Sequence, residues 1–340
     1  MTSRGETIGH DLNLAHGLLS DCLAQFYPKR PLPLGKARWL DQIIRAIIHC
    51  SRPRFWARRW LEENGRSSKY DSPPPRPYYT IVAMLLALDI GNTNITLGVW
   101  NGRSWERHWR LLTNPAQTAD EYGIILKMLL DDAGLLTAVN QAIMASVVPA
   151  LSRTFGQICQ QQLNVPLLDV NSETPMGLTI LADVPSAVGA DRLVNAVAAF
   201  ELFQAPCIII DMGTATKFDL VSAKQEFLGG VIAPGLGLAA EALASRAAKL
   251  SHVALEAPPH TIGKNTVHAM QSGLVFGYLS LIEGLVARLK AEHPDRFQKI
   301  HTLGTGGMID LMAPHTAVID HIDPWLTLTG LRVIHDRVTR

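Results

Sequence analysis

The feature that most narrows what this chain can fold into is an internal repeat. "LLALDIGNTNITLGVW" (85–100) aligns with "CIIIDMGTATKFDLVS" (207–222) at a constant offset of 122 residues. Asp89 falls on Asp211, Gly91 on Gly213, and Asn92-Thr93-Asn94 on Thr214-Ala215-Thr216. In each copy an apolar strand ends in an aspartate, a glycine stands two residues later, and small hydrogen-bonding residues round a turn into a second strand-like run. Writing this unit twice restrains the chain to two similar halves, each opening on a β-hairpin.

The sequence after each copy supports the same division. Strand patterns at 85–90, 95–101 and 105–112 precede a helix over 117–133, a buried strand at 142–148, a helix at 150–163, the strand "VPLLDV" and a helix over 190–203. The series then restarts with strands at 207–211, 216–222 and 226–233, helices at 236–248 and 266–290, a strand at 300–304 and a last helix after Pro324. Hairpin strands followed by alternating helices and strands, twice over, define an α/β chain of two halves, 84–204 and 205–340.

Residues 1–83 read differently. They carry 13 Lys/Arg against 7 Asp/Glu, leaving 18 against 23 for the remainder, although the whole chain nets only +1. They include "SRPRFWARRWLEENGR", a helical spacing at Leu40, Ile43, Ile44, Ile47 and Ile48, and a stiff "SPPPRPYY" linker. A basic docking helix for membrane or nucleic acid is one reading. The expectation adopted is an appendage, or sequence upstream of a start at Met84, because one amphipathic helix buries too little surface to fold alone. No nucleic-acid or membrane partner is expected for the whole. No uninterrupted apolar run approaches the ~18–20 residues of a membrane span. Cys22, Cys50, Cys159 and Cys207 lie far apart without a CxxC pair, which signals neither disulfides nor zinc and fits a reducing cytoplasm.

The repeated turn has a chemistry of its own. Glycine lets backbone approach a ligand closely. Successive amides with Asn and Thr side chains donate to phosphate oxygens, and a strand-terminal carboxylate suits a hydrated Mg²⁺. Two such hairpins facing one another would grip a nucleotide triphosphate from both sides. No Walker A sequence competes, since Gly35-Lys36 and Gly263-Lys264 are not followed by Ser or Thr. "PGLGLAAEAL" (234–243) imitates a dinucleotide fingerprint, but it comes after the third strand of a hairpin series and not the first strand of a βαβ unit. The doubled hairpin resembles the phosphate-binding signature of actin, sugar kinases and acetate kinase. That likeness implies two ribonuclease-H-like, actin-like ATPase domains with a nucleotide cleft between them.

"VGADRLVNAVAAF" (188–200) adds a second kind of site: a carboxylate, Asp191, and a guanidinium, Arg192, at the start of a helix. An aspartate there serves the helix dipole in any protein. It can also accept a proton from an alcohol while the arginine attends to an anion.

From Met84 onward the chain resembles the type III pantothenate kinases. "DIGNTN", "GADR", "DMGTAT", "GGVIAPG", "IGKNTVHAMQSG" and "GTGG" occur in the family's order. The resemblance implies phosphorylation of pantothenate with Mg²⁺-ATP, activation by K⁺ or NH₄⁺, and a homodimer with active sites near the subunit interface. It assigns nucleotide contacts to Asp89, Ile90, Gly91, Asn92, Thr93, Asn94, Ile95, Thr96 and Thr214. Pantothenate contacts fall on Gly189, Ala190, Asp191, Arg192 and Thr266, the general base on Asp191, and the monovalent-cation ligand on Asp211. The family usually has Thr where Lys217 stands, and often an aromatic residue at Ala182. The remaining alternatives are a non-catalytic nucleotide-binding regulator of the same fold and a kinase for another small hydroxy acid.

Overall fold

Leu85–Leu88 are all buried, as a continuous apolar run requires when both faces of a strand are covered. They belong to β1 (Met84–Ile90), the centre of the first sheet. The structure, a computed structural model, describes residues 84–246 and 252–339. The basic extension, with its expected helix and linker, lies outside the described residues, as does the end of the helix expected over 236–248.

In chain order, β1 is followed by β2 (Asn94–Trp100), β3 (Trp105–Leu112), α1 (Ala119–Asp132) and β4 (Val139–Ser146). Next come α2 (Pro149–Gln157), β5 (Leu167–Asp169), β6 (Thr179–Ile180) and α3 (Ala190–Phe203). The second series is β7 (Cys207–Met212), β8 (Ala215–Val221), β9 (Glu226–Pro234), α4 (Leu236–Arg246), α5 (Thr266–Glu292) and β10 (His301–Thr305). It closes with α6 (Ile309–Met312), β11 (His321–Ile322) and α7 (Leu326–Thr339).

The first sheet runs β3-β2-β1-β4-β5, and the second contains β9-β8-β7-β10-β11, the same order. In both, the first three strands are antiparallel and the last two join in parallel. The molecule is thus the α/β protein of two ribonuclease-H-like sheets that the repeat implies. Two short strands were not legible. β6 adds in parallel to the edge of β9, although it precedes α3 in the chain, and β11 extends β10. The helix expected over 150–163 is α-helical only to Gln157. Residues Ile158–Leu163 wind as a π-helix, ended by Asn164 at φ 53°.

Strand alternation decides what faces what. Leu86, Leu88 and Ile90 point to an outer core with α1 and α2, and Ile208, Ile210 and Met212 to an outer core with α5. Leu85, Ala87, Cys207 and Ile209 point the other way, into a central core shared with α3 and α7. Asp89 and Asp211 continue these inner rows. Period two therefore carries both carboxylates into the space between the sheets. Among the described residues one helix, α5, is long and apolar enough to cross a membrane by composition. It packs Leu274, Val275, Tyr278, Ile282 and Val286 into the core of the second sheet.

Candidate active site

At the ends of the inner rows the two hairpin turns meet. Thr93 Oγ1 and Thr214 Oγ1, each at the tip of its turn, are 2.6 Å apart and hydrogen-bonded. Each turn is tied to a residue just past its own third strand. The Thr113 amide, after β3, donates to the Thr93 carbonyl at 3.0 Å, and the Gly235 amide, after β9, to the Thr214 carbonyl at 3.1 Å. Around them opens a cleft of about 670 Å³, lined from the first hairpin by Asp89, Gly91–Asn94 and Thr96 and from the second by Asp211–Ala215 and Lys217. Asp191, Arg110, Val147, Ile232, the α4 residues Gly237, Leu238 and Glu241, the loop Thr305–Met308 and residues of the α7 start complete the wall.

The carboxylates are not free-standing. Lys217 lies directly across the β7–β8 ladder from Asp211, on the same face, so their side chains meet. Its Nζ is 2.7 Å from Asp211 Oδ2 and 2.6 Å from Asp191 Oδ2. Asp191 Oδ1 accepts from the backbone amide of Arg192 at 2.9 Å, which fixes the carboxylate at the first turn of α3. Burial works against the lysine's charge, but Asp211 and Asp191 more than offset it and hold the ammonium above the usual lysine range. Further along β8, buried Asp219 accepts from Arg192 Nε at 2.8 Å, and the guanidinium lies over the Phe227 ring. Burial pushes Asp219 up to about 6 against the pull of that guanidinium.

No lysine lies across the ladder from Asp89, where Thr96 stands, although Lys217 and Arg110 are close enough to pull on its charge. Burial first, then the neighbouring Asp191 and Asp211 charges, push Asp89 up to about 7. A carboxylate in that setting is stabilised in its charged form by any cation brought beside it. Among the described residues no cluster of three or more His, Cys, Asp or Glu side chains forms a ready-made metal cage. Mg²⁺ commonly binds through one or two carboxylates and substrate phosphates, so the donor set fits it.

Of the sequence-derived residues, Asp89, Gly91, Asn92, Thr93, Asn94, Thr96, Asp191, Asp211 and Thr214 line the cleft together. Ile90 and Ile95 are fully buried in the outer core, because alternation turns them away; only their backbone is near the turn. Gly189 and Ala190 cap and begin α3 behind Asp191. Arg192 is turned toward Asp219, Thr266 is exposed at the start of α5, and Ala182 is half-buried; none of the three lines the cleft. Residue-by-residue reading did not reach Arg110 on β3 or the placement of Gly306. Arg110 faces Thr96 across the β2–β3 ladder and stands over Trp325, a long-range pairing without a local motif. Gly306, within "GTGG", has φ +91°, and a Cβ there would lie 2.6 Å from the Met212 amide nitrogen and 2.7 Å from Asp211 Oδ1. Only glycine lets this loop close over the second hairpin.

Residues 85–288 match the family model described as type III pantothenate kinase. A curated relative of that name from Moorella thermoacetica is 45% identical over 257 residues, covering 75% of this chain and 100% of the relative. Another, from Myxococcus xanthus, is 43% identical over 257 residues, covering 75% of this chain and 98% of its own. Among solved structures, a conserved putative Baf family transcriptional activator from Campylobacter jejuni covers 75% of this chain and all of its own, at 17% identity and a TM-score of 0.48.

Proposed function

This chain belongs to the type III pantothenate kinase family, and on that premise we propose which of its residues carry the transfer. The reaction is the ATP-dependent phosphorylation of pantothenate in coenzyme A biosynthesis. The turns at Gly91–Asn94 and Gly213–Ala215 hold the triphosphate from opposite sides. Their exposed amides and the Thr93 and Thr214 hydroxyls supply the donors. Asp89 is the side chain best placed to hold Mg²⁺, which when bound neutralises phosphate charge. Ile90 and Ile95 contribute backbone only.

Asp191 is the general base. An ionised carboxylate has about four lone-pair sites. Two are spent on the Arg192 amide and Lys217, so acceptor capacity remains for the hydroxyl of pantothenate. Asp191 takes that proton as the oxygen attacks the γ-phosphorus in line, the bond from that phosphorus to the β,γ-bridging oxygen breaks and ADP leaves, so positioning and charge stabilisation supply most of the acceleration. Gly189 and Ala190 set the backbone at the α3 start. Arg192, its guanidinium held by Asp219, donates its backbone amide to Asp191 and so fixes the base at the α3 start.

We infer a homodimer with active sites near its interface, which gives the exposed Thr266 a route to substrate that it lacks in a single copy. Support comes from apolar side chains left exposed outside the cleft, Leu243 on α4 and Ile262 and Val267 around the α5 start. Sedimentation at micromolar concentration tests it; a monomer would refute it. Residues 84–204 and 205–340 are proposed to contain the whole chemistry, in a cytoplasmic setting suited to the buried thiols Cys159 and Cys207. The resemblance also implies a monovalent cation, K⁺ or NH₄⁺, at Asp211, the carboxylate on which Lys217 already stands.

The observation that carries this assignment is the convergence of Asp191 with the paired turns in one cleft. Its test is Asp191→Asn, which keeps shape and removes the proton acceptor. Turnover should fall by about 10²–10⁴ with ATP affinity little changed. Turnover within a few-fold of the parent would remove Asp191 from the base role.

A further inference from the structure

Asp191 and Asp211 enclose a space that the chain itself fills with a cation. The family resemblance places an exchangeable monovalent cation on Asp211, yet here the Lys217 ammonium stands 2.7 Å from that carboxylate and 2.6 Å from Asp191. All three side chains are only 15–18% exposed, so little water separates the charges. A K⁺ ion on Asp211 would share its carboxylate with a positive charge already in contact. The residues present do not fit it.

We propose that Lys217 is the resident monovalent cation of this active site, and that catalysis by this chain is therefore independent of K⁺ and NH₄⁺. The chemistry matches closely. An alkylammonium carries the same charge as ammonium and three N–H donors. Two point at Asp191 and Asp211, and the third remains for an oxygen of a bound phosphate, since Lys217 lines the cleft. Two adjacent carboxylates with no cation between them would repel both each other and the incoming triphosphate. One tethered ammonium lowers that repulsion permanently, with no loss of ion entropy at each turnover.

The geometry has a cause in the hairpin. The residue opposite Asp89 lies seven positions on, at Thr96, whereas the residue opposite Asp211 lies six positions on, at Lys217. The second turn is thus one residue shorter than the first. That register, and not the offset of 122, brings a lysine into contact with Asp211. The N–H···O contacts are charge-assisted and doubly made, which is the strong form of the interaction. Lys217 is accordingly a positioning and electrostatic residue, acting on the base and on bound phosphate, and no proton needs to leave it.

The inference rests on the assignment of Asp191 and Asp211 to the site. Its test is the initial rate of pantothenate phosphorylation by the full chain, with tetramethylammonium as the only monovalent cation and then with K⁺ or NH₄⁺ added. The unmodified protein should change by no more than about two-fold. Lys217→Thr should lose about 10²-fold without K⁺, the usual weight of one preorganised charge, and recover most of it when K⁺ or NH₄⁺ is supplied. Lys217→Gln, which keeps length and hydrogen bonding, should behave likewise. Melting of the ATP complex gives a second readout: K⁺ should raise Tm in both variants by mass action and leave the parent unmoved. Strong K⁺ activation of the parent overturns the proposal, as does a pair of well-folded variants that K⁺ neither rescues nor stabilises. An Asp191→Asn protein with unchanged turnover would instead overturn the site assignment beneath it, so the two failures are distinguishable.

Discussion

The two hairpins begin as copies and end with different electrostatics. In both, an apolar strand delivers an aspartate to the inner face and a threonine hydroxyl to the shared contact at 2.6 Å. In both, an amide just beyond the third strand braces the turn carbonyl. The first hairpin sets Asp89 against a neutral Thr96, and burial with the Asp191 and Asp211 charges pushes that carboxylate up to about 7 against the weaker pull of Lys217 and Arg110, neither of which pairs with it. The second sets Asp211 against Lys217 and so carries its cation within the fold. Duplication supplies the frame of the cleft. One cross-strand position decides which aspartate is in direct contact with the lysine.

The largest effects should come from the two aspartates, and they should differ in kind. Asp89→Asn and Asp211→Asn are each expected to lower kcat/KM by about 10²-fold or more, as loss of a preorganised charge does. Asp89→Asn should also raise the Mg²⁺ concentration needed for half-maximal rate. Asp211→Asn should leave the Mg²⁺ requirement alone and make the cost of Lys217→Thr smaller than in the parent, because residues in one ion-pair network are not additive. Equal shifts in Mg²⁺ requirement from both variants would show that the hairpins are not divided in this way.

Much of this division was legible and part of it was not. Repeat, strand order and the inward rows of Leu85-Ala87-Asp89 and Cys207-Ile209-Asp211 come from alternation, a local property. The sheets accordingly agree with the expected series. β6 and β11 were hidden because two-residue strands have no period to detect. Lys217 was visible as a departure from the family pattern, but its two carboxylate contacts depend on a turn one residue shorter, which an ungapped alignment of the repeats conceals. Arg110 reached the cleft through β2–β3 pairing. Ile90 and Ile95 belong to the same contiguous motif, but alternation turns their side chains into the outer core, so only their backbone faces the turn.

A smaller effect is expected at the bridge. Thr93→Val and Thr214→Val each remove one side of the hydroxyl pair, which is worth about 1 kcal/mol when it joins two protein groups. In the ATP-free protein the double variant should melt close to either single one, since one bond is lost in all three. With ATP present, each hydroxyl is proposed to turn to phosphate, so the losses in affinity should add. Additive losses of Tm without ATP would mean that the turns do not hold one another.

The smallest effects separate the glycines that the alignment equates. A Cβ at Gly91 would lie 3.0 Å from the Asn94 carbonyl oxygen, the atom that accepts the Gly91 amide bond closing the first turn. At Gly213 the nearest atoms would be Asp211 Oδ1 at 3.6 Å and the Ala215 carbonyl oxygen at 3.8 Å, ordinary contact distances. The first glycine therefore sits tightly in its own turn, where a methyl group would push the Asn94 carbonyl aside, and the second has room for one. Gly91→Ala should lower stability by about 1 kcal/mol, the lower end of overpacking costs. Gly213→Ala should fall within about 0.5 kcal/mol of the parent, as an unobstructed surface change does. If the second turn is nonetheless a phosphate cradle, its methyl group meets the ligand and not the fold. Gly213→Ala should then raise the KM for ATP several-fold while Tm stays put. Unchanged KM and unchanged Tm together would mean that the nucleotide does not approach this turn at Gly213, and that the second hairpin serves the site through the side chains of Asp211, Thr214 and Lys217.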